Sequence, residues 1–311
     1  MFSPRIRKAC AVAVAIAAAG SLSACSSSAR NAIADSNPPT LPTAAPTTQL
    51  ATTTTPPITV APATIAPTTT AATTTTVPAP TTTAAPATTL PRNIEPVAAL
   101  TSGLQAVGKS SGEATALIQT RLIQLGFWVS EADGDYGLET QQAVMAFQKY
   151  LGLEASGRVN DETAGWLTIM TEEGHGLSDT GTLVEVDKTR QLVFIVVDGK
   201  TQWIFNTSTG NGEAYEEADK NTPGETIKGV SLTPDGLWDV TRERPEGWWE
   251  GDLGKIYRPK YFRGGIALHG SNSIPNYPAS HGCVRLSVPA MDFIWDSGLV
   301  PIGTTVWVHG G

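Results

Sequence analysis

Cysteine is scarce: the 311 residues hold three, and two of these, Cys10 and Cys25, lie within the first 25 positions. The rest of the chain carries one thiol, Cys283, so no intramolecular disulfide is available to staple it. Charged side chains are missing altogether from residues 36–91. That absence, with so few large apolar residues, excludes a packed core there. Positive charge is thin as well, with 21 Lys and Arg against 29 Asp and Glu for a net charge of −8, and the basic residues are scattered. This excludes the basic footprint of a nucleic-acid-binding protein, and none is expected as a partner. No apolar run reaches the roughly 20 residues that a membrane-spanning helix needs; the run at 9–20 has 12.

That short run follows Arg5, Arg7 and Lys8 and leads into Leu22-Ser-Ala-Cys25. A positive start, a short apolar stretch and small residues make 1–25 an export signal. Its end resembles a bacterial lipobox, which implies cleavage before Cys25, a lipid on that cysteine and anchorage to the outer face of the cytoplasmic membrane. An ordinary secretory signal cut after a small residue is the alternative. Residues 26–109 then read as a disordered tether, since 38–91 has 22 Thr, 12 Pro and 12 Ala in 54 positions. Such a segment reaches roughly 40 Å as a coil and about 165 Å if wholly polyproline-like.

Helical periodicity begins near residue 110. Ser110-Ser-Gly-Glu113 has the spacing of a capping box, and Leu117, Arg121, Leu122 and Leu125 follow at three-to-four spacing up to Gly126. A second helix places Ala143, Ala146, Phe147 and Tyr150 on one face and stops at Gly152. Leu125-Gly126 with Gly134 and Thr140 is echoed by Leu151-Gly152 with Gly157 and Thr163, and a short third helix ends near Ile169. The echo predicts a small all-α three-helix domain over 110–170, near the lower size limit for a self-supporting core.

After a linker at 171–180 the pattern becomes strand-like over 181–311. Leu183–Asp187, Gln191–Val197 and Thr201–Thr207 are apolar runs, the last two joined by Asp198-Gly199, a hairpin signal. Further strands are expected at 237–240, 265–268, 284–287 and 304–308, with a helix from Pro289 to Trp295. The fold class is a mostly β, antiparallel domain preceded by the helical one. The acidic stretch 211–232 reads as a solvated loop or a lid, and Trp248-Trp249 as core, edge or lid aromatics.

The chemistry concentrates in 266–286. Cys283 follows Gly282 and has His281 two positions and His269 fourteen positions upstream. A thiol with an ordinary pKa near 8.5 needs a base to attack at neutral pH, and a histidine supplies one. The spacing therefore suits thiolate attack on a carbonyl, with backbone N–H groups near Gly282 and Cys283 holding the oxyanion. Two alternatives stay open: a buried inert cysteine, and a zinc site using His269, His281 and Cys283, for which a fourth ligand is wanting. His175 and His309 are remote.

Two family resemblances complete the reading. Leu125-Gly126, Asp133 to Thr140 and Ala143 to Gln148 resemble the peptidoglycan-binding domain of bacterial cell-wall enzymes, which implies wall binding. His269-Gly270, Ser280-His-Gly-Cys283 and Arg285, with Thr233-Pro-Asp-Gly-Leu-Trp238 and Tyr261 to Ile266, resemble the L,D-transpeptidase catalytic domain. That resemblance implies a β sandwich in which Cys283 is the nucleophile and His269 the base, oriented by the Gly270 carbonyl. Ser280, His281, Gly282 and Arg285 would shape the oxyanion and substrate site. It further implies release of D-alanine from a peptidoglycan tetrapeptide stem, transfer of the acyl group to a neighbouring stem, carbapenem-type lactams as inhibitors, and no metal or organic cofactor. Water as acceptor would make an L,D-carboxypeptidase instead, and an inactive wall-binding lipoprotein is the third reading.

Overall fold

A computed structural model describes residues 93–311. The export signal, Cys25 and the tether as far as residue 92 lie outside the described residues.

Three helices form the first layer: α1 (Glu113–Gln124), α2 (Leu138–Leu151) and α3 (Asp161–Ile169). Ile118, Leu122, Leu125, Ala143, Phe147 and Leu167 make their core. The glycine–threonine echo has a physical cause in two buried glutamines. Gln119 donates to Thr140 Oγ1 and accepts from the Gly134 N–H; Gln148 donates to Thr163 Oγ1 and accepts from the Gly157 N–H. Each amide thus ties one turn to the helix that follows.

Three expectations need correction here. The Ser110–Glu113 capping box is not used: Gly112, with φ 142°, is the N-cap with no side-chain bond, and the Ser111 hydroxyl turns away to Asp135. Leu117 points outward at 56% exposure, and the guanidinium of Arg121 takes the inward position, donating to the carbonyls of Ala98, Leu167 and Met170. The tether ends before 109, because Val97, Leu104 and Val107 already pack on the helical core and Gly108 pairs with Val159. Those apolar residues have no counterpart spacing in the Thr/Pro/Ala run.

The second part is a two-sheet sandwich. One sheet has the order β3 (Lys200–Asn206), β2 (Leu192–Val197), β1 (Leu183–Asp187), β12 (Thr305–His309), β6 (Gly236–Asp239). The other runs β11 (Val284–Ser287), β10 (Ile266–Ser271), β9 (Gly254–Arg263), β7 (Arg242–Glu243), with β8 (Trp248–Gly251) also on β9. A separate hairpin joins β4 (Ala214–Ala218) to β5 (Thr226–Val230), and α4 (Val288–Ser297) follows β11. Pairing is mixed, not purely antiparallel: β1 with β12 and β10 with β11 are parallel. Parallel neighbours need a long crossover, and the chain supplies one between β10 and β11 in residues 272–283.

Strand β2 reads as an unbroken apolar run because both of its faces are covered. Val193 and Ile195 enter the sandwich core, whereas Leu192, Phe194 and Val196 join Ile204 against the helices. Helical and β parts therefore share one continuous apolar contact, and 171–180 is held to it by Glu185, which accepts from the Leu177 and Ser178 N–H groups.

Lys149 of α2 crosses this contact at 8% exposure and donates to the carbonyls of Gln191 and Thr207, with no carboxylate partner among the described residues. Burial lowers its pKa to about 7. Above pH 7 the unfolded chain, with an ordinary lysine, holds more protons than the folded one, so folding stability should rise with pH. We expect a gain of roughly 1–2 kcal/mol between pH 7 and 8.5 in urea titrations, absent from Lys149→Met; equal slopes in both proteins would refute it.

Candidate active site

Register across β10 and β11 builds the site. Leu268 pairs with Val284 and His269 with Arg285. Leu268, Val284 and Leu286 are fully buried in the sandwich core, so the alternation turns His269, Arg285 and, one step before the strand, Cys283 to the opposite face. These three residues, with Ser280 and His281, line one cleft of about 530 Å³.

His269 is 4% exposed, and its Nδ1 lies 2.8 Å from the Gly270 carbonyl oxygen. A carbonyl only accepts, so Nδ1 carries the hydrogen and Nε2 is left with a lone pair. Burial, helped by positive Arg285 and opposed by the Gly270 carbonyl, lowers this imidazole to about pKa 4. Burial likewise pushes the Cys283 thiol up, against the pull of the Ala267 N–H and Arg285. The resting pair is thus a neutral base and a neutral thiol. Gly270 sits flush on Tyr257, whose ring would lie 2.9 Å from any Cβ there.

The cysteine loop is locked by its own residues. Ser280 donates to the Cys283 carbonyl at 2.6 Å and accepts from the Gly282 N–H at 3.0 Å. Thr233 donates to the Gly282 carbonyl at 2.7 Å, and Gly282 has φ 129°. Ser280 thus braces the loop, and the Gly282 N–H is engaged within it. Outside the loop, Thr207 donates to the Arg285 carbonyl, and Thr209 accepts from the Ala279 and Ser280 N–H groups. The helical layer reaches the same crossover, where Gln142 donates to Ile274 and Asn276 to Ala155.

The acidic stretch is solvent-exposed along most of its length, as expected, but over Ala214–Ala218 and Thr226–Val230 it forms a hairpin and not a loop. Its hairpin brings Glu217 to 2.8 Å from His281 Nε2 and stands Tyr215 edge-on to the same ring, with centroids 4.9 Å apart. Sequence reasoning missed the place of both residues beside His281 at the cleft, and strands β4, β5, β7, β8 and β9. A usable signal was there in the opposed charges of Glu216 and Lys228, which pair across the hairpin. Trp248 and Trp249 are 44% and 42% exposed, hence not core; Trp249 forms part of the cleft wall. His309 binds buried Glu185 far from the cleft. Among the described residues no group of three or more His, Cys, Asp or Glu is placed to hold a metal ion.

This geometry meets known proteins at several points. Residues 181–308 match the model of the L,D-transpeptidase catalytic domain, and 111–167 that of a peptidoglycan binding domain. The crystal structure of an L,D-transpeptidase from Xylanimonas cellulosilytica is 44% identical, with TM-score 0.58, over 66% of this chain and 98% of that one. Shorter similarity joins the chain to the N-acetylmuramoyl-L-alanine amidase CwlM of Mycobacterium tuberculosis, 37% identical over 65 residues. It covers 21% of this chain and 16% of that protein. A probable N-acetylmuramoyl-L-alanine amidase of Bacillus licheniformis is 36% identical over 85 residues, 27% of this chain and 24% of its own length. The chain thus spans less than a quarter of either amidase. The Xylanimonas structure is covered over nearly its whole length at 44% identity, and residues 181–308 carry the catalytic-domain match: the chain belongs to the L,D-transpeptidase family.

Proposed function

We propose that the protein cross-links peptidoglycan by a cysteine acyl-enzyme mechanism. The observation that carries this is the shared face of His269, Cys283 and Arg285 in one cleft, with His269 held as the Nδ1–H tautomer. His269 Nε2 takes the Cys283 proton as sulfur attacks the carbonyl after the third residue of a tetrapeptide stem. The oxyanion faces the Cys283 N–H and the Arg285 guanidinium. Its collapse breaks the peptide bond, and the proton returns from His269 to the leaving D-alanine amine. An amine of a neighbouring stem then attacks the thioester, His269 accepting its proton, and the thiol is regenerated. His281, fixed by Glu217, lines the approach. Carbapenem-type lactams would acylate the same sulfur. The helical domain binds the wall polymer, and a lipid on Cys25 with the tether holds the enzyme on the outer face of the cytoplasmic membrane.

Incubating the full chain with disaccharide-tetrapeptides and weighing the products tests the reaction. We expect a dimer lighter than two stems by one D-alanine. Hydrolysed tripeptide alone would make the protein an L,D-carboxypeptidase. Unchanged substrate, with no lactam mass added at Cys283, would reject both.

A further inference from the structure

Strand β7 is two residues long, yet it sorts charge between two faces. Glu243 points away from the cleft and accepts from Lys260 at 2.7 Å. Arg242 and Arg244, one position to either side, both line the cleft that contains Cys283. Neither has a carboxylate within ion-pair distance among the described residues. Glu217 of the hairpin faces His281, and Asp252 of the cleft wall accepts from Asn221.

Both guanidiniums are held by aromatic faces. Arg242 lies 3.8 Å from the centroid of the Tyr261 ring, with one donation to the Gly264 carbonyl at the long distance of 3.5 Å. Arg244 lies 3.6 Å from the centroid of the Trp249 ring, and its buried Nε has no hydrogen-bond partner. Stacking fixes the plane of a guanidinium while leaving its N–H edge free, and that edge matches a carboxylate in bidentate fashion. Two like charges set two residues apart on one strand face also repel, which an anion between them relieves.

We propose that Arg242 and Arg244 form a clamp for a carboxylate of the donor peptide, placing that peptide along the cleft beside Cys283. The clamp rests on the donor being a stem peptide, as proposed above. Two sources supply the carboxylate: the C-terminal D-alanine that departs, or a side-chain carboxylate on the part that becomes the acyl group.

The test compares wild type with Arg242→Gln and Arg244→Gln on three donors: the free tetrapeptide, its C-terminal amide, and its side-chain amide. Each substitution should lower kcat/KM on the free peptide by about ten- to a hundredfold, mostly through KM, as for loss of a charge-assisted hydrogen bond. Amidating the recognised carboxylate should cost wild type a similar factor, and the two changes should not multiply. The donor that shows this identifies the carboxylate. Losses that multiply on both amides, or no loss on the free peptide, overturn the clamp. Calorimetric titration of Cys283→Ala with the same donors separates the two ideas. Arginine-dependent binding without any wild-type turnover keeps the clamp and removes the transpeptidase reading; normal turnover with arginine-independent binding does the reverse.

Discussion

Replacing Cys283 with alanine is expected to cut D-alanine release from a tetrapeptide stem by at least about 10⁴-fold, as for loss of the nucleophile in other covalent catalysts. Folding should change little, by about 1 kcal/mol in urea, because the side chain is small and only partly buried. A comparable activity in the variant would remove the acyl-enzyme mechanism. The pH profile adds a sharper check. His269 is lowered to about 4, so the base is already unprotonated throughout the neutral range. The acid limb of kcat/KM, which reports the free enzyme, should therefore fall near pH 4–5. A limb near the ordinary histidine value of about 6.5 would show that burial does not lower the His269 imidazole. The same shift has a stability consequence. Between pH 6.5 and 4 the unfolded chain binds the proton that folded His269 refuses, so stability is present above that window and lost as pH falls through it. The change should approach 3 kcal/mol and be missing from His269→Gln.

The parts of this molecule that are legible in the sequence are those whose order is local. Asp198-Gly199 turns β2 into β3, Gly152 ends α2 in the left-handed conformation, and the run holding His269, Gly270 and Cys283 falls at the cleft. What escaped depends on partners distant in sequence. Nothing near Arg121 announces that carbonyls at 98, 167 and 170 will satisfy it in a buried position. The residues of β4 and β5 alternate between half-buried and exposed, so their periodicity carries little apolar contrast. Yet they deliver Glu217 to His281. Strand β9 mixes Lys, Arg and Pro with aromatics, and its buried part becomes intelligible only once Lys260 meets Glu243 and the Trp295 ring. The parallel pairing of β1 with β12 follows the same logic, since the two strands lie more than a hundred residues apart.

Gly282→Ala should be the most damaging substitution that leaves all reactive groups in place. With φ at 129° the residue occupies a region that side chains rarely adopt, and a Cβ would stand 2.7 Å from the Leu232 carbonyl oxygen. Neither side can give way easily. The Gly282 N–H is tied to Ser280 and its carbonyl to Thr233, whose hydroxyl also accepts from the Gly210 N–H. Leu232 is backbone on the opposite wall, not the end of a flexible side chain. The strain must therefore pass along the loop to the next residue, Cys283. A displacement of about 1 Å at a nucleophile costs on the order of 10²-fold in rate, and we expect a fall of about 10²- to 10³-fold in D-alanine release. The thermal midpoint should drop by only a few degrees, because the sandwich core behind Val284 is untouched. Lactam acylation at Cys283 should slow in proportion, since it needs the same approach of sulfur to a carbonyl. Retained turnover in a folded Gly282→Ala protein would show that the loop can relax, and that the position of Cys283 is set by β11 rather than by the braced glycine before it.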